Sequence, residues 1–211
     1  MNTGENYGPT IHFSTARSII GNMTRRYCPR CHYPQSTCAC AVARTISSET
    51  PIDILQHPSE THAAKNTARL AAYCLPECRI WHGENENDFL ELRRELRNET
   101  RTVFLLYPSD GSVDIRALST VGTNKARLLI LDGTWRKAYK MYQLNPWLYT
   151  YPTVTICDQT SNYTFRKAPN KNCLSTLEAV QYALTKTEPE LDLQPLSDCL
   201  DHLKECFSRR D

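Results

Sequence analysis

Two apolar periods alternate along this chain, one suited to buried strands and the other to helices with a single buried face. Short apolar runs at Ile52 to Gln56, Arg79 to Trp81, Thr102 to Tyr107, Arg127 to Leu131 and Thr153 to Cys157 read as strands. Segments His62 to Cys74, Asp88 to Asn98, Trp135 to Leu144 and Ser175 to Lys186 place apolar residues three and four apart, the helical spacing. A last helix is predicted over Leu196 to Phe207, inside the acidic stretch from 188 to 206. Strands alternating with helices predict an α/β fold with a mostly parallel sheet and flanking helices. In such a sheet a ligand belongs just past the carboxyl ends of the strands.

Composition narrows this picture. The chain has 211 residues, 40% of them hydrophobic and 23% charged, enough apolar material for one real core and too much for wholesale disorder. Seven glycines exclude collagen-like character. No run reaches the roughly 18 apolar residues of a membrane span, and Met1 to Arg26 lacks the apolar stretch of an export signal. The expectation is a cytoplasmic protein with no membrane partner. Ten cysteines then stand out, four of them between Cys28 and Cys40. In a reducing compartment such a cluster reads as metal ligands rather than disulfides. Cys28, Cys31, Cys38 and Cys40 supply the four thiolates of a closed, structural zinc site, with His32 leaving a mixed set open and free or redox-active thiols as the alternative. Three units follow: a flexible tail over 1–24, a four-cysteine zinc-binding segment over 25–48, and the α/β domain over 49–211.

Net charge is +2, yet the charges are not evenly spread. Arg17 to Arg30 and Arg166 to Lys171 hold cations and no acids, and Lys125 to Lys140 holds five cations against Asp132. Negative charge gathers at Glu84 to Glu99 and Glu188 to Glu205. Such a chain can present a basic face to a phosphate backbone, the alternative being an ordinary mixed surface.

Four polar loops fall at strand ends: Gln56 to Glu60, Tyr107 to Asp110, Leu131 to Trp135, and Asn172 to Glu178. None has the spacing of a dinucleotide fingerprint or a P-loop. Ser175-Thr-Leu-Glu178 has the form of a capping box, which favours Glu178 as a cap and leaves Ser175 and Thr176 divided between capping and ligand binding. Asp132 follows an apolar strand and either caps the helix starting at Trp135 or serves a ligand, position alone favouring the cap. Trp135 reads as core before it reads as a stacking platform. His57 reads as a hydrogen-bonded structural residue before it reads as a base.

Taken together, Asp132-x-Thr134-Trp135, Cys28-x-x-Cys31, Cys38-x-Cys40, Gln56-His-Pro-x-Glu60, Asn66-Thr67 and Ser175-Thr176-x-Glu178-Ala179 resemble the DTW-domain family, from Cys28 to about Thr187. Its characterised bacterial members are tRNA-uridine aminocarboxypropyltransferases. The resemblance implies transfer of the 3-amino-3-carboxypropyl group of S-adenosylmethionine to N3 of a uridine in the tRNA variable loop, with release of 5′-methylthioadenosine. It also implies kinship with the SPOUT class of RNA-modifying enzymes, hence a C-terminal trefoil knot, which periodicity alone does not reveal and general topology disfavours.

By the same resemblance, Asp132 is the catalytic residue, drawing the proton from N3. A free aspartate is a feeble base, so the role needs burial. Tyr107, Pro108, Ser109, Leu131, Gly133, Thr134, Leu174, Ser175 and Thr176 wall the S-adenosylmethionine pocket, with Trp135, Glu178 and His57 supporting it. Arg30, Arg136, Lys140, Arg166 and Lys167 are the expected tRNA phosphate contacts. No protein partner is implied, and oligomeric state stays open. The competing readings are a SPOUT-type RNA methyltransferase with the same co-substrate and a zinc-stapled RNA-binding module without catalysis.

Overall fold

A computed structural model of the chain describes residues 26–63, 65–121, 125–156 and 174–209. The expected tail over 1–24, and with it Arg17 and Arg25, lies outside these residues, as do Arg166, Lys167, Asn172 and Cys173.

Six strands form one sheet: β1 (Ile52–Gln56), β2 (Cys78–His82), β3 (Thr102–Leu106), β4 (Val113–Asp114), β5 (Ala126–Asp132) and β6 (Thr153–Thr155). They lie in the order β2-β1-β5-β3-β6-β4 and every pairing is parallel, as the alternation of elements predicts. All five residues of β1 and six of the seven of β5 are buried, which explains why these two strands read as continuous apolar runs rather than alternating ones. Both are interior strands of the sheet and are covered on both faces.

Side-chain parity sorts the two faces. Ile52 and Ile54 of β1 and Leu128 and Ile130 of β5 share a core cluster with α1 (Ala68–Cys74), α4 (Thr176–Thr187) and α5 (Gln194–Ser208). Leu55, Leu129, Val103 and Leu105 point the other way, against α2 (Leu90–Arg97) and α3 (Trp135–Leu144). The result is a three-layer sandwich. Cys31, Tyr33, Ala39 and Ile46 join the first cluster, so the cysteine segment packs onto the core that α1 and α5 build.

Sequence and structure differ at several boundaries. The helix expected over His62 to Cys74 begins only at Ala68. Asn66 explains the delay: its side chain accepts the Arg69 amide and donates to the Glu60 carbonyl, holding the preceding residues in turns. A 3-10 turn over Glu86–Phe89 occupies the start of the helix predicted from Asp88. The two-residue β4 and the 3-10 turn Ile115–Thr120 have no counterpart in the sequence pattern, and the end of the fifth predicted strand at Cys157 lies outside the described residues. No helix is long and apolar enough to cross a membrane among the described residues.

Candidate functional site

The carboxyl ends of β1 and β5 meet in register, with Gln56 opposite Asp132. Asp132 shares the parity of Leu128 and Ile130, so its carboxylate turns toward the α4 layer rather than toward α3. There it is buried and doubly held: Gln56 Nε2 donates to Oδ2 at 2.6 Å, and the Thr176 hydroxyl donates to Oδ1. Both donors are neutral, and each carboxylate oxygen keeps an unused lone-pair site. Among the described residues no cation pairs with it, so there the group is oriented without being neutralised. A cleft lined by Glu60, Ala63, Lys65, Asn66, Thr67 and Asp132 opens beside it.

The expectation that Asp132 caps α3 fails, for the same reason of parity. Thr134 is the N-cap, its Oγ1 accepting from the Lys137 amide at 3.4 Å. Gly133 between them permits a close approach, since a Cβ there would stand 3.1 Å from Lys137 Cβ. Lys137 in turn reaches Glu60 at the cleft, Nζ to Oε1 2.7 Å.

At α4 the capping box forms as predicted. Ser175 Oγ accepts the Glu178 amide at 3.3 Å, and the Glu178 carboxylate accepts the Ser175 amide at 2.7 Å. The Leu177 amide donates to Thr67 Oγ1 at 3.4 Å. Three amides around this helix start are thus satisfied inside the protein. Ser175 and Glu178 cap, while Thr176 turns its hydroxyl to Asp132.

His57 Nδ1 accepts the Ser59 amide at 3.2 Å, which makes Nε2 the donor to Glu84 at 3.1 Å. The ring is a strut across the sheet rim, in line with the structural reading. Lys140 and then His57 hold the Glu84 carboxyl below its usual range through hydrogen bonds. Trp135 is 48% exposed, which corrects its assignment to the core. It opens α3 past the end of β5, where the sheet no longer covers it.

Tyr107, on β3's extension beside β5, is buried with its ring stacked on Tyr142 at 4.4 Å. Burial, then the neighbouring phenols of Tyr142, Tyr139 and Tyr149, push its hydroxyl up. Pro108 is exposed, Ser109 shares a hydrogen bond with Thr153 at 2.7 Å, and Leu131 and Leu174 are partly buried. Parallel register sets the Tyr107 loop next to the Leu131 loop; the Thr176 contact ties the α4 loop to Asp132.

The cysteine segment is a second chemical feature. Cys28, Cys31, Cys38 and Cys40 bring their four Sγ atoms within 4.8 Å of one another. Two pairs stand at 3.6 Å, near the edge of about 3.8 Å expected of a tetrahedron with zinc–sulfur bonds of about 2.3 Å. The Cys31 backbone amide lowers the Cys28 thiol to about 6, whereas burial raises Cys38 to about 12. Four thiolates this close need a cation to coexist, and the donor set fits zinc.

This segment also reaches the cleft. The Tyr33 hydroxyl donates to the Asn66 carbonyl; Arg69, its guanidinium over the Tyr33 ring, donates to the His32 carbonyl at 2.6 Å and the Thr61 carbonyl at 2.5 Å. Gln56, Asn66 and Thr67 fall within the sequence motifs without a role assigned to them there, although strand-end position is a usable signal for Gln56. Nothing in the sequence marks Tyr33 or Arg69.

Among the expected phosphate contacts, Arg30, Arg136 and Lys140 are exposed, the last paired with Glu84 at 3.0 Å. Arg30 belongs to the cysteine segment and the others to α3, so they flank opposite layers of the sheet. Arg166 and Lys167 lie outside the described residues.

The DTW domain family matches residues 25–209. tRNA-uridine aminocarboxypropyltransferase 2 of Macaca fascicularis is 30% identical over 173 residues, covering 78% of this chain and 57% of that protein. Its Drosophila melanogaster namesake is 32% identical over 179 residues, covering 79% of this chain and 69% of its own length. tRNA-uridine aminocarboxypropyltransferase A of Arabidopsis thaliana is 27% identical over 205 residues, covering 79% and 74%. This chain therefore spans little more than half the length of the first of these relatives. No solved structure matches the chain.

Proposed function

Because this chain belongs to the DTW-domain family, we propose that it transfers the 3-amino-3-carboxypropyl group of S-adenosylmethionine to N3 of a uridine in tRNA. The names of the relatives support the reaction class. The observation that carries the local chemistry is the buried Asp132 carboxylate, aimed by Gln56 and Thr176 at the rim where parallel sheets hold ligands. In the reaction the new N3–carbon bond forms as the carbon–sulfur bond breaks, its electron pair leaving with sulfur as neutral 5′-methylthioadenosine. The N3 proton passes to Asp132. Displacement beside a sulfonium needs little covalent help, so alignment is the protein's main task.

In this reading Tyr107, Pro108, Ser109, Leu131, Gly133, Thr134, Leu174, Ser175 and Thr176 wall the pocket for the donor. His57, Trp135 and Glu178 support the loops that carry it. Zinc on the four cysteines anchors the segment whose Tyr33 holds the Asn66 loop, a structural role that leaves no open metal position. Arg30, Arg136, Lys140, Arg166 and Lys167 contact tRNA phosphates. The target uridine lies in the variable loop, the protein works in the cytoplasm, and 1–24, 25–48 and 49–211 act as tail, zinc segment and catalytic domain. A SPOUT-like knot is part of the same proposal; its support is the return of α4 to the end of β5 and the start of α1.

Incubation with S-adenosylmethionine and unmodified tRNA, followed by mass spectrometry of both products, tests the reading. Methylthioadenosine with aminocarboxypropyluridine is expected. S-adenosylhomocysteine with a methylated base would replace it by methyl transfer; neither product, with no uptake of S-adenosylmethionine, would leave an RNA-binding module.

A further inference from the structure

Helix α3 has a composition unlike the rest of the surface. Its ten residues include Arg136, Lys137 and Lys140 and no acid. Ala138 and Met141 carry its buried face, while Trp135 at 48% and Tyr139 at 58% exposure stand one turn apart on the outside. The following 3-10 turn, Pro146–Thr150, adds Tyr149 at 47% exposure. Tyr149 leans on Tyr142 with ring centroids 4.6 Å apart, and Tyr142 stacks on the buried Tyr107 at 4.4 Å. Tyr107, Tyr142 and Tyr149 thus form one group of rings, and Tyr139 precedes Tyr142 by three residues on the same helix. The group runs from the end of β3 out to solvent, and α3 begins just past Asp132 and its two-residue link.

Exposed tyrosines are ordinary one at a time. Here Tyr149 is backed by Tyr142 and Tyr107, so its ring face is presented at a lower entropic cost than a mobile side chain's, and Tyr139 extends the exposed aromatic surface along α3 beside Arg136 and Lys140. Aromatic faces with adjacent positive charge are how proteins hold unpaired nucleotides: bases stack on rings while phosphates meet cations. Glu84 offsets part of the Lys140 charge and Glu60 part of the Lys137 charge, so Arg136, exposed at the start of α3, is the main source of positive charge on the strip.

We propose that Tyr139 and Tyr149, the latter backed by Tyr142 and Tyr107, form a stacking platform for unpaired RNA nucleotides on the α3 side of the sheet rim that carries Asp132, with Arg136 and Lys140 meeting their phosphates. This rests on the reading of the chain as a tRNA-modifying enzyme and adds how the strand around the target is held. The platform selects exposed loop nucleotides over duplex, whose bases offer no free face.

The test is affinity for a single-stranded decauridylate and for tRNA, measured by fluorescence anisotropy without S-adenosylmethionine. Tyr139→Ala and Tyr149→Ala are each expected to weaken decauridylate binding about tenfold. Tyr→Phe at both positions retains affinity, because stacking needs the ring and not the hydroxyl. The salt slope stays unchanged in the Ala variants and becomes shallower in Lys140→Ala, since only cations release counterions. Should the alanine pair fail to fold, Tyr→Leu at both positions, apolar but without a ring face, takes its place and is expected to lose affinity equally. Wild-type affinity in the Ala or Leu variants overturns the proposal, as does an equal loss in the Phe variants. So does sedimentation showing that the same substitutions dissociate an oligomer, which would make the strip a self-contact. A protein that binds decauridylate through these rings yet forms no aminocarboxypropyluridine refutes the enzymatic reading alone.

Discussion

Gln56 and Asp132 stand opposite each other at the ends of adjacent parallel strands, joined by a 2.6 Å hydrogen bond from the Gln56 amide to the Asp132 carboxylate. Both β1 and β5 are interior strands, paired on either side and buried along nearly their whole length, so this pair rests on well-packed backbone. The Thr176 hydroxyl closes the arrangement from α4, so three elements distant in sequence converge on one carboxylate.

Asp132→Asn keeps the shape of the side chain and removes the base. Transfer is expected to fall by about 10²- to 10⁴-fold, the usual contribution of a positioned proton acceptor. Thermal stability and S-adenosylmethionine binding stay close to wild type. Near-normal turnover in product-release assays would remove Asp132 from the chemistry.

Gln56→Leu and Thr176→Val each delete one donor to the carboxylate and leave it under-solvated. Their kcat is expected to drop with little change in KM for tRNA, because the carboxylate is no longer held in place. Thr176→Ser, which retains the hydroxyl, restores kcat. An equal loss in Thr176→Ser, or a kcat unchanged in Thr176→Val and Gln56→Leu, would assign these residues to packing alone.

Metal removal tests the cysteine segment and its link to the cleft. The purified protein is expected to carry one zinc per chain, and a strong chelator to lower the Tm and weaken transfer. Cys31→Ser does the same. Tyr33→Phe keeps the metal but loses the bond to Asn66, at about 1 kcal/mol, and is expected to raise KM for S-adenosylmethionine without changing zinc content. Full activity and an unmoved Tm after complete chelation would detach the metal from both roles.

Acid stability follows from the other end of the sheet. Asp53 and Arg127 are buried there, Arg127 bonding Asp53 at 2.8 Å and Glu99 at 2.8 Å. Burial acts to raise the Glu99 carboxyl, but bonds from Arg127 and the Arg101 amide outweigh it and hold the group at about 2, against an ordinary 4.5. A depressed folded-state value stabilises above the unfolded value and is lost as pH falls through the folded one. The window is therefore about pH 4.5 down to 2, and the contribution is at most about 3 kcal/mol. Thermal melts are expected to show a steep loss across that window in wild type and a flatter one in Glu99→Gln; parallel slopes would refute it.

The elements and their class are legible in local pattern. Apolar runs at Ile52 to Gln56 and Arg127 to Leu131 read as strands, the three-and-four spacing of Trp135 to Leu144 reads as a helix, and four cysteines within Cys28 to Cys40 read as a metal-ligand cluster. These are local properties, set by side-chain period and ligand spacing. The capping box at Ser175 is legible for the same reason, because both of its partners lie within one turn.

What the polar strand ends do is settled by how distant segments meet. Whether Asp132 caps α3 or faces α4 depends on strand parity at the end of β5 and on which helices cover that face, and neither is visible around residue 132. The same holds for Trp135, whose apolar ring predicts burial until the sheet's edge is located, and for Tyr33, which meets Asn66 across 33 residues of chain. A pattern of hydrophobicity states which residues leave water. It does not state which partners they meet, because that is settled by the order of strands in the sheet and the layer to which each helix returns.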